Sequence, residues 1–139
     1  MADIALTATQ VAACFPDKAE IVDMIAASTI TQGQALYQTT AGKAAPADAN
    51  ASGLQQFRGI ALNAAGAGQA VSVLVRGHVA GYTVSGMNGD ALVYLSDTVG
   101  VLADANGTMN VQCGRVTCLP DGSLTKVIFI CADWLRAWS

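Results

Sequence analysis

The residues that could do chemistry in this chain are few and lie far apart. His78 is the only histidine, and with Cys14 it could form the base and nucleophile of a thiol enzyme. It lies in the run Val75-Arg-Gly-His-Val79, where Arg76 and His78 alternate to one face of a predicted strand. A solvated strand face explains His78 without catalysis, and nothing in the spacing brings Cys14 to it.

Other polar patterns have equally simple structural explanations. Asp48-x-Asn50 and Asp104-x-Asn106 resemble half of a calcium loop, but the terminal bidentate glutamate is absent. Asx-turns explain both pairs without a metal. Gly66-x-Gly68 could bind a phosphate if a helix followed it, but a strand pattern follows, so we expect a hairpin turn.

The remaining potentially reactive groups are Lys126 and the four thiols. A biotinyl-type carrier needs a modified lysine at a hairpin tip; Lys126 follows the turn Pro120-Asp-Gly-Ser123 but lacks flanking methionines. The four cysteines show no C-x-x-C spacing, so we expect reduced, mostly buried thiols and no zinc site; they are Cys14, Cys113, Cys118 and Cys131. The sequence predicts no catalytic, metal or cofactor residue.

The composition indicates one domain that depends on neighbours. The 139 residues include 26 alanines and 14 glycines but only three Phe, two Trp and three Tyr, and charged residues make up 12%. Small apolar side chains bury little area each, at roughly 25 cal/mol per Å². We therefore expect the isolated monomer to have low stability. In an assembly, its uncharged surface would be covered by other subunits.

The charge and hydropathy patterns disfavour two partner classes. The net charge is −3 and the basic residues are scattered singly, so no basic stripe is available for nucleic acid. Polar residues interrupt the long uncharged stretches Met24–Gly42 and Gly59–Val75, so neither is expected to span a membrane as a helix. No basic residue precedes Lys18, so no secretory leader is expected.

An internal repeat organises the chain. Gly33, Leu36 and the tetrad Ala47-Asp-Ala-Asn50 recur 56 residues later. The run Val71-Ser-Val-Leu-Val75 corresponds to a second β-rich run at the same offset. The repeat units cover about 33–76 and 89–131. They predict a pseudo-symmetric domain in which each half contributes similar strands.

Each unit is predicted to consist of short strands joined by tight turns. We predict strands at about 34–38, 57–62, 69–76, 91–95, 109–118 and 124–132, one earlier strand over Glu20–Ile25, and a helical turn at 52–56. The fold class is all-β, a compact barrel or sandwich of about 8–10 short strands with an internal pseudo-repeat. Residues 1–15 are predicted to be an extended N-terminal arm, and 16–139 a single β domain.

The two chain termini carry the predicted contacts. Trp134 and Trp138 are four residues apart, and either close the chain's own barrel or anchor a neighbouring subunit. The apolar arm is suited to adding a strand to another chain's sheet edge. The candidate contacts with a partner protein or with another protomer are Ile4, Leu6, Val11, Phe15, Trp134, Leu135 and Trp138.

Several segments together resemble a known family. The distinctive part is Arg58-Gly-Ile-Ala-Leu-Asn63 followed by Gly68-Gln-Ala-Val71. The Gly-x-Ala-Leu-Tyr element within Ile30-Thr-Gln-Gly-Gln-Ala-Leu-Tyr37 is common. With Leu6-Thr-Ala-Thr-Gln-Val11, Ala47–Asn50 and Val75–Val79, the succession resembles tailed-bacteriophage capsid decoration proteins, also called head cement proteins. The resemblance covers at least residues 6–116.

The resemblance implies a non-enzymatic role without cofactors. Such proteins bind the outside of the expanded head shell, commonly as trimers, and reinforce it. The implied partners are the major capsid protein and other copies of the chain, and the implied location is the virion, after synthesis in the bacterial cytoplasm. The alternatives are a head-fibre base, a host-surface glycan-binding adhesin, a small β-barrel carrier or a cysteine-dependent enzyme.

Overall fold

The computed structural model describes residues 2–119 and 124–138 and is nearly all β. One antiparallel sheet curls into a half-barrel, which confirms the predicted all-β class. Its strands are β1 (Ala12–Ala13), β2 (Glu20–Ile25), β3 (Ala35–Gln38), β4 (Ala44–Pro46), β5 (Phe57–Ala61), β6 (Ala70–Ala80), β7 (Leu92–Leu95), β8 (Leu102–Ala103), β9 (Gln112–Cys118) and β10 (Lys126–Cys131). Two 3-10 helices, Ala8–Gln10 and Pro16–Lys18, lie near the N-terminus.

The predicted elements differ from the structure in several places. β6 runs on to Ala80, so His78 lies inside it, and the short strands β4 and β8 were not predicted. The predicted helical turn at 52–56 is a simple turn, in which the Leu54 N–H donates to the Ala51 carbonyl at 3.1 Å. The predicted turn at Pro120–Ser123 lies outside the described residues.

The two repeat units build the two halves of the sheet. The strand order is β4-β3-β5-β6-β10-β9-β7-β8. Read inward from the two outer edges, the first unit gives β4-β3-β5-β6 and the second gives β8-β7-β9-β10, so equivalent strands occupy equivalent places. β6 and β10 meet antiparallel at the centre, with Ile128 opposite Val79 and Cys131 opposite Arg76. The sequence repeat is therefore an approximate two-fold relation in the fold.

The first 27 residues cover edges that the repeat units leave open. β1 and β2 pair with β6, whereas Asp3 bridges Ala103 beside β8. After β2, the Ala27 N–H donates to the Ala44 carbonyl at 2.8 Å, which joins this segment to β4. The predicted arm is therefore bound along its own domain in this structure, because unpaired strand edges are costly.

The core is packed largely by small and β-branched side chains. One cluster is shared by both repeat units and contains Phe57, Val93 and Ile128 at 0% exposure. The second is formed by the first unit and the residues just before it, and contains Ile30, Leu36 and Val73. Each of the buried alanines contributes little apolar area to the core.

Candidate functional site

The C-terminal segment after β10 is a turn bonded to the segment before β5. The side-chain amide of Gln56 donates to the carbonyls of Trp134, at 3.0 Å, and Arg136. The Trp138 N–H donates to the Gln56 amide oxygen at 3.3 Å, and Gln55 donates to the Trp138 carbonyl at 3.0 Å. These bonds hold residues 134–138 in place without a helix.

The two tryptophans therefore have different environments. Trp138 is 6% exposed and belongs to the shared core, so it closes the chain's own domain. Trp134 is 40% exposed and Leu135 is 95% exposed. Trp138 thus packs inside its own chain, and of the two rings only that of Trp134 is accessible to a neighbouring subunit.

Two arginines lie against this turn. The Arg58 guanidinium carbon is 4.7 Å from the Trp134 ring centroid, and that of Arg136 is 4.6 Å from Trp138. Within residues 2–119 and 124–138, neither arginine has an ion-pair partner, and Arg58 Nε is buried without a hydrogen bond. We call Arg58, Trp134, Leu135 and Arg136 the tail patch.

A second accessible surface runs along β2. Glu20, Ile21, Asp23 and Ile25 are exposed, the two isoleucines at 39% and 45%. Among the described strands β2 pairs only with β6, so its other backbone edge lacks a strand partner. We call this surface the β2 edge.

A shallow cleft of roughly 400 Å³ lies where the β2 edge and the tail patch adjoin. Asp23 and Ile25 line it on the β2 side, and Arg58 and Gln38 line it on the side of β5 and β3. The Asp23 carboxylate accepts a 3.2 Å bond from the Ser72 hydroxyl and makes no ion pair with Arg58. The two patches are therefore close neighbours whose charges do not neutralise each other within 4 Å.

The N-terminal candidates lie differently from the prediction. Ile4 and Val11 are 5% and 1% exposed and belong to the chain's own core, so they are not accessible contacts as placed here. Leu6 packs against that core, and half-buried Phe15 meets the His78 ring edge-on at 5.3 Å. These side chains are covered because the N-terminal arm pairs with strands of its own sheet.

Cys14 and His78 are neighbours, which the sequence spacing did not show. The Cys14 N–H donates to the His78 carbonyl at 2.9 Å because β1 pairs with the far end of β6. The His78 ring, however, packs edge-on against Phe15 and Phe129, and no hydrogen bond joins it to the thiol in the described chain. Burial raises the pKa of the Cys14 thiol, whereas a nucleophile needs the thiolate.

The predicted turns are partly confirmed. Asp48 Oδ1 accepts the Asn50 N–H at 2.8 Å, as an Asx-turn requires, but Asp104 Oδ1 accepts the Ala2 N–H instead. The loop at Gly66–Gly68 leads directly into β6, as predicted for a hairpin turn. Across residues 2–119 and 124–138, no three His, Cys, Asp or Glu residues are grouped as a metal site would require.

The remaining reactive groups are held in ordinary structural positions. Lys126 Nζ donates to the Met87 carbonyl at 2.6 Å and to that of Ser85 at 3.3 Å. All four cysteines are free thiols, but only Cys113 is fully buried and Cys131 is exposed, so the expectation of mostly buried thiols was wrong. Of the described residues, none form a helix long and apolar enough to cross a bilayer.

Comparison with known proteins adds no relative. No protein-family model matches the chain, and neither a curated protein nor a solved structure is significantly similar to it. The tail patch and the β2 edge are thus the accessible surfaces of this chain with which a partner protein could make contact.

Proposed function

We propose that the protein is a non-enzymatic structural subunit that binds the outer surface of a tailed-phage head as a trimer and stabilises the expanded shell. The observation that carries this proposal is the position of Leu135. It is 95% exposed in a turn that the Gln56 amide holds in place. An apolar side chain presented in this way is suited to contact with another protein.

The energetics of repeated contacts support such a role. Burying one leucine side chain contributes only about 1.5–3 kcal/mol, so a single contact of this kind is weak. A trimer presents it three times, and simultaneous attachment raises the overall affinity through effective concentration. The low charge of the chain, 12% of residues, limits the desolvation cost of the contacts.

The resemblance in sequence points to the same role. The segments that carry it form β3, β5, β6 and the turns between them, which build the first half of the sheet. Reinforcement of a shell needs a rigid domain with accessible contact surfaces and needs no reactive group. The two-unit sheet, with its remaining edges covered by the N-terminal residues, is a domain of that kind.

Head binding tests the proposal directly. Purified protein should co-sediment with expanded heads that lack it and should saturate at a fixed number of copies per shell subunit. Unexpanded shells are the matched control and should bind far less. Absence of saturable binding to expanded heads would contradict the proposal.

A glycan-binding adhesin or head-fibre base is the second candidate, and the exposed Trp134 ring favours it. Aromatic rings commonly bind sugars by stacking, and Gln38 lies beside Trp134 in a shallow depression. Arg58, however, lies over the Trp134 ring, and the other tryptophan and Tyr82 are buried. A glycan array probed with labelled protein tests this candidate, which predicts binding that Trp134→Ala abolishes.

A further inference from the structure

We propose that the tail patch of one copy binds the β2 edge of a neighbouring copy, and that this contact closes the trimer. The inference rests on the proposed function, because it names the interface by which the proposed trimer would form. Its occupant is a second copy of this chain, and the argument is the complementarity of two surfaces that the same chain carries.

The charges of the two surfaces are opposite and unpaired. Arg58 and Arg136 lie in the tail patch, and Glu20 and Asp23 lie on the β2 edge. In the part of the chain that the structure describes, the one salt bridge joins Arg115 to Asp90, so none of these four has an ion-pair partner. Asp133 adjoins the tail patch, whereas Lys18 and Arg76 adjoin Glu20, since Arg76 is its cross-strand neighbour on β6. Asp23 is therefore the acidic group of the β2 edge that no neighbouring basic residue offsets in sequence or register, and it is the one that lines the cleft with Arg58.

Arg58 is the most specific of these groups. Its guanidinium packs on Trp134 at 4.7 Å and forms no ion pair within the described residues. The unused donors of a guanidinium match a carboxylate in a two-bond geometry. Arginine and tryptophan are also the residues most enriched among the side chains that dominate interface energies.

The apolar groups of the two surfaces also match. Six large apolar side chains of the described residues are exposed, and four of them lie on these surfaces: Ile21, Ile25, Trp134 and Leu135. Each surface thus combines two apolar side chains with two charges of one sign. A contact between them would cover most of the exposed large apolar groups at once.

The sheet edges point to the same surface. Residues 3 and 4 cover β8, since the Ile4 N–H donates to the Leu102 carbonyl at 2.8 Å, and Ala26 and Ala27 cover β4. The outer edge of β2 has no such cover among the described residues. An uncovered edge with exposed isoleucines favours association with another chain.

The cleft places the two surfaces side by side on one protomer. Asp23 and Arg58 line the same cleft from opposite sides, so the two surfaces adjoin on one protomer. A head-to-tail contact closes a ring when the rotation between successive copies closes, and the proposed trimer is a ring of this kind. The proposed trimer axis therefore passes close to this cleft.

Charge reversal with light scattering tests the interface. The wild-type chain should have the mass of three chains, and Asp23→Arg and Arg58→Glu should each weaken association by about tenfold or more. The double variant, which restores opposite charges across the contact, should recover the wild-type mass. Asn88→Arg, which adds a positive charge at an exposed position outside both patches, is the matched control and should remain trimeric.

The outcomes separate this inference from the proposed function. A wild-type trimer whose mass neither single variant changes would overturn the interface, and head binding would then still decide the function. Loss of head binding by Arg58→Glu with an unchanged mass would assign the tail patch to the shell and would also overturn it. Because Arg58 packs on Trp134, circular dichroism of Arg58→Glu must show a native sheet. If that variant fails to fold, Asp23→Arg, on an exposed edge, keeps the test decisive.

Discussion

Gly59 and Gly114 occupy equivalent places in the two halves of the sheet. Gly59 pairs with Leu36 and Gly114 pairs with Val93, and each pair adjoins a register shift in the ladder. A Cβ at Gly59 would lie 2.5 Å from the Leu74 carbonyl oxygen, and one at Gly114 would lie even closer to the carbonyl oxygen of Phe129. The repeat therefore preserves a close backbone approach as well as a strand order.

Substitution of either glycine should strongly destabilise the fold. Gly114→Ala forces a methyl group against the β10 backbone, and we expect a loss of about 2–4 kcal/mol in the free energy of unfolding. Denaturant unfolding measures it. Gly86→Ala is the control, since nothing lies within 4 Å of its Cβ position, and should change stability by no more than about 0.5 kcal/mol. Equal stability of the two variants would contradict the close approach.

The tryptophans should differ in their effect on stability. Trp138→Ala removes a side chain that is 6% exposed, so we expect a loss of about 3–5 kcal/mol. Trp134→Ala removes a partly exposed ring and should cost under about 1.5 kcal/mol. Unfolding followed by circular dichroism compares the variants without depending on tryptophan fluorescence, and similar losses for both would contradict the assignment of Trp138 as the buried residue.

High pH should destabilise the protein because the Tyr82 hydroxyl and the Cys113 thiol are buried. Burial raises the pKa of Tyr82 above its ordinary value of about 10, and that of the Cys113 thiol well above its ordinary value of about 9. The folded state keeps these protons while the unfolded state loses them, so stability is fully present below pH 9 and falls as pH rises through 9–10. Each group can contribute up to about 1.4 kcal/mol per pH unit.

Tyr82→Phe isolates one part of this effect. The Tyr82 hydroxyl donates a 2.6 Å hydrogen bond to the Gly33 carbonyl, so the variant should lose about 1 kcal/mol at neutral pH. It should also lose less stability than the wild type between pH 9 and 11. Parallel profiles for the two proteins over that range would contradict the role of Tyr82.

Thiol labelling should follow exposure. Cys131 is exposed and should react first with a disulfide reagent at pH 8, whereas Cys113 should react only on unfolding. Cys14 should react more slowly than Cys131, because burial raises its pKa. Mass spectrometry of partly labelled protein gives the order, and early labelling of Cys14 would instead indicate an activated thiol.

The sequence predicts the strands well and their long-range partners poorly. Alternation identifies Glu20–Ile25, and the 56-residue offset predicts that 33–76 and 89–131 have similar structures. Neither pattern specifies that β6 and β10 meet at the centre, because pairing between distant strands depends on the whole chain. The very short strands β4 and β8 carry too few residues to show alternation.

The contact residues show the same limit. Apolar character marks Val11 and Leu135 alike, yet Val11 is 1% exposed and Leu135 is 95% exposed. The difference arises because the arm pairs with β6 and beside β8, whereas Gln56 holds the C-terminal turn at the surface. Neither pairing leaves a local signal in the sequence. The Arg58 and Trp134 contact was likewise missed, since the two residues are far apart in the chain.

The heat resistance of phage heads tests the central claim most directly. Expanded heads that lack the protein should release their DNA at a lower temperature than complete heads, and adding back the purified protein should restore the higher temperature. Heads that resist heat equally well with and without the protein would contradict the proposed role in stabilising the shell.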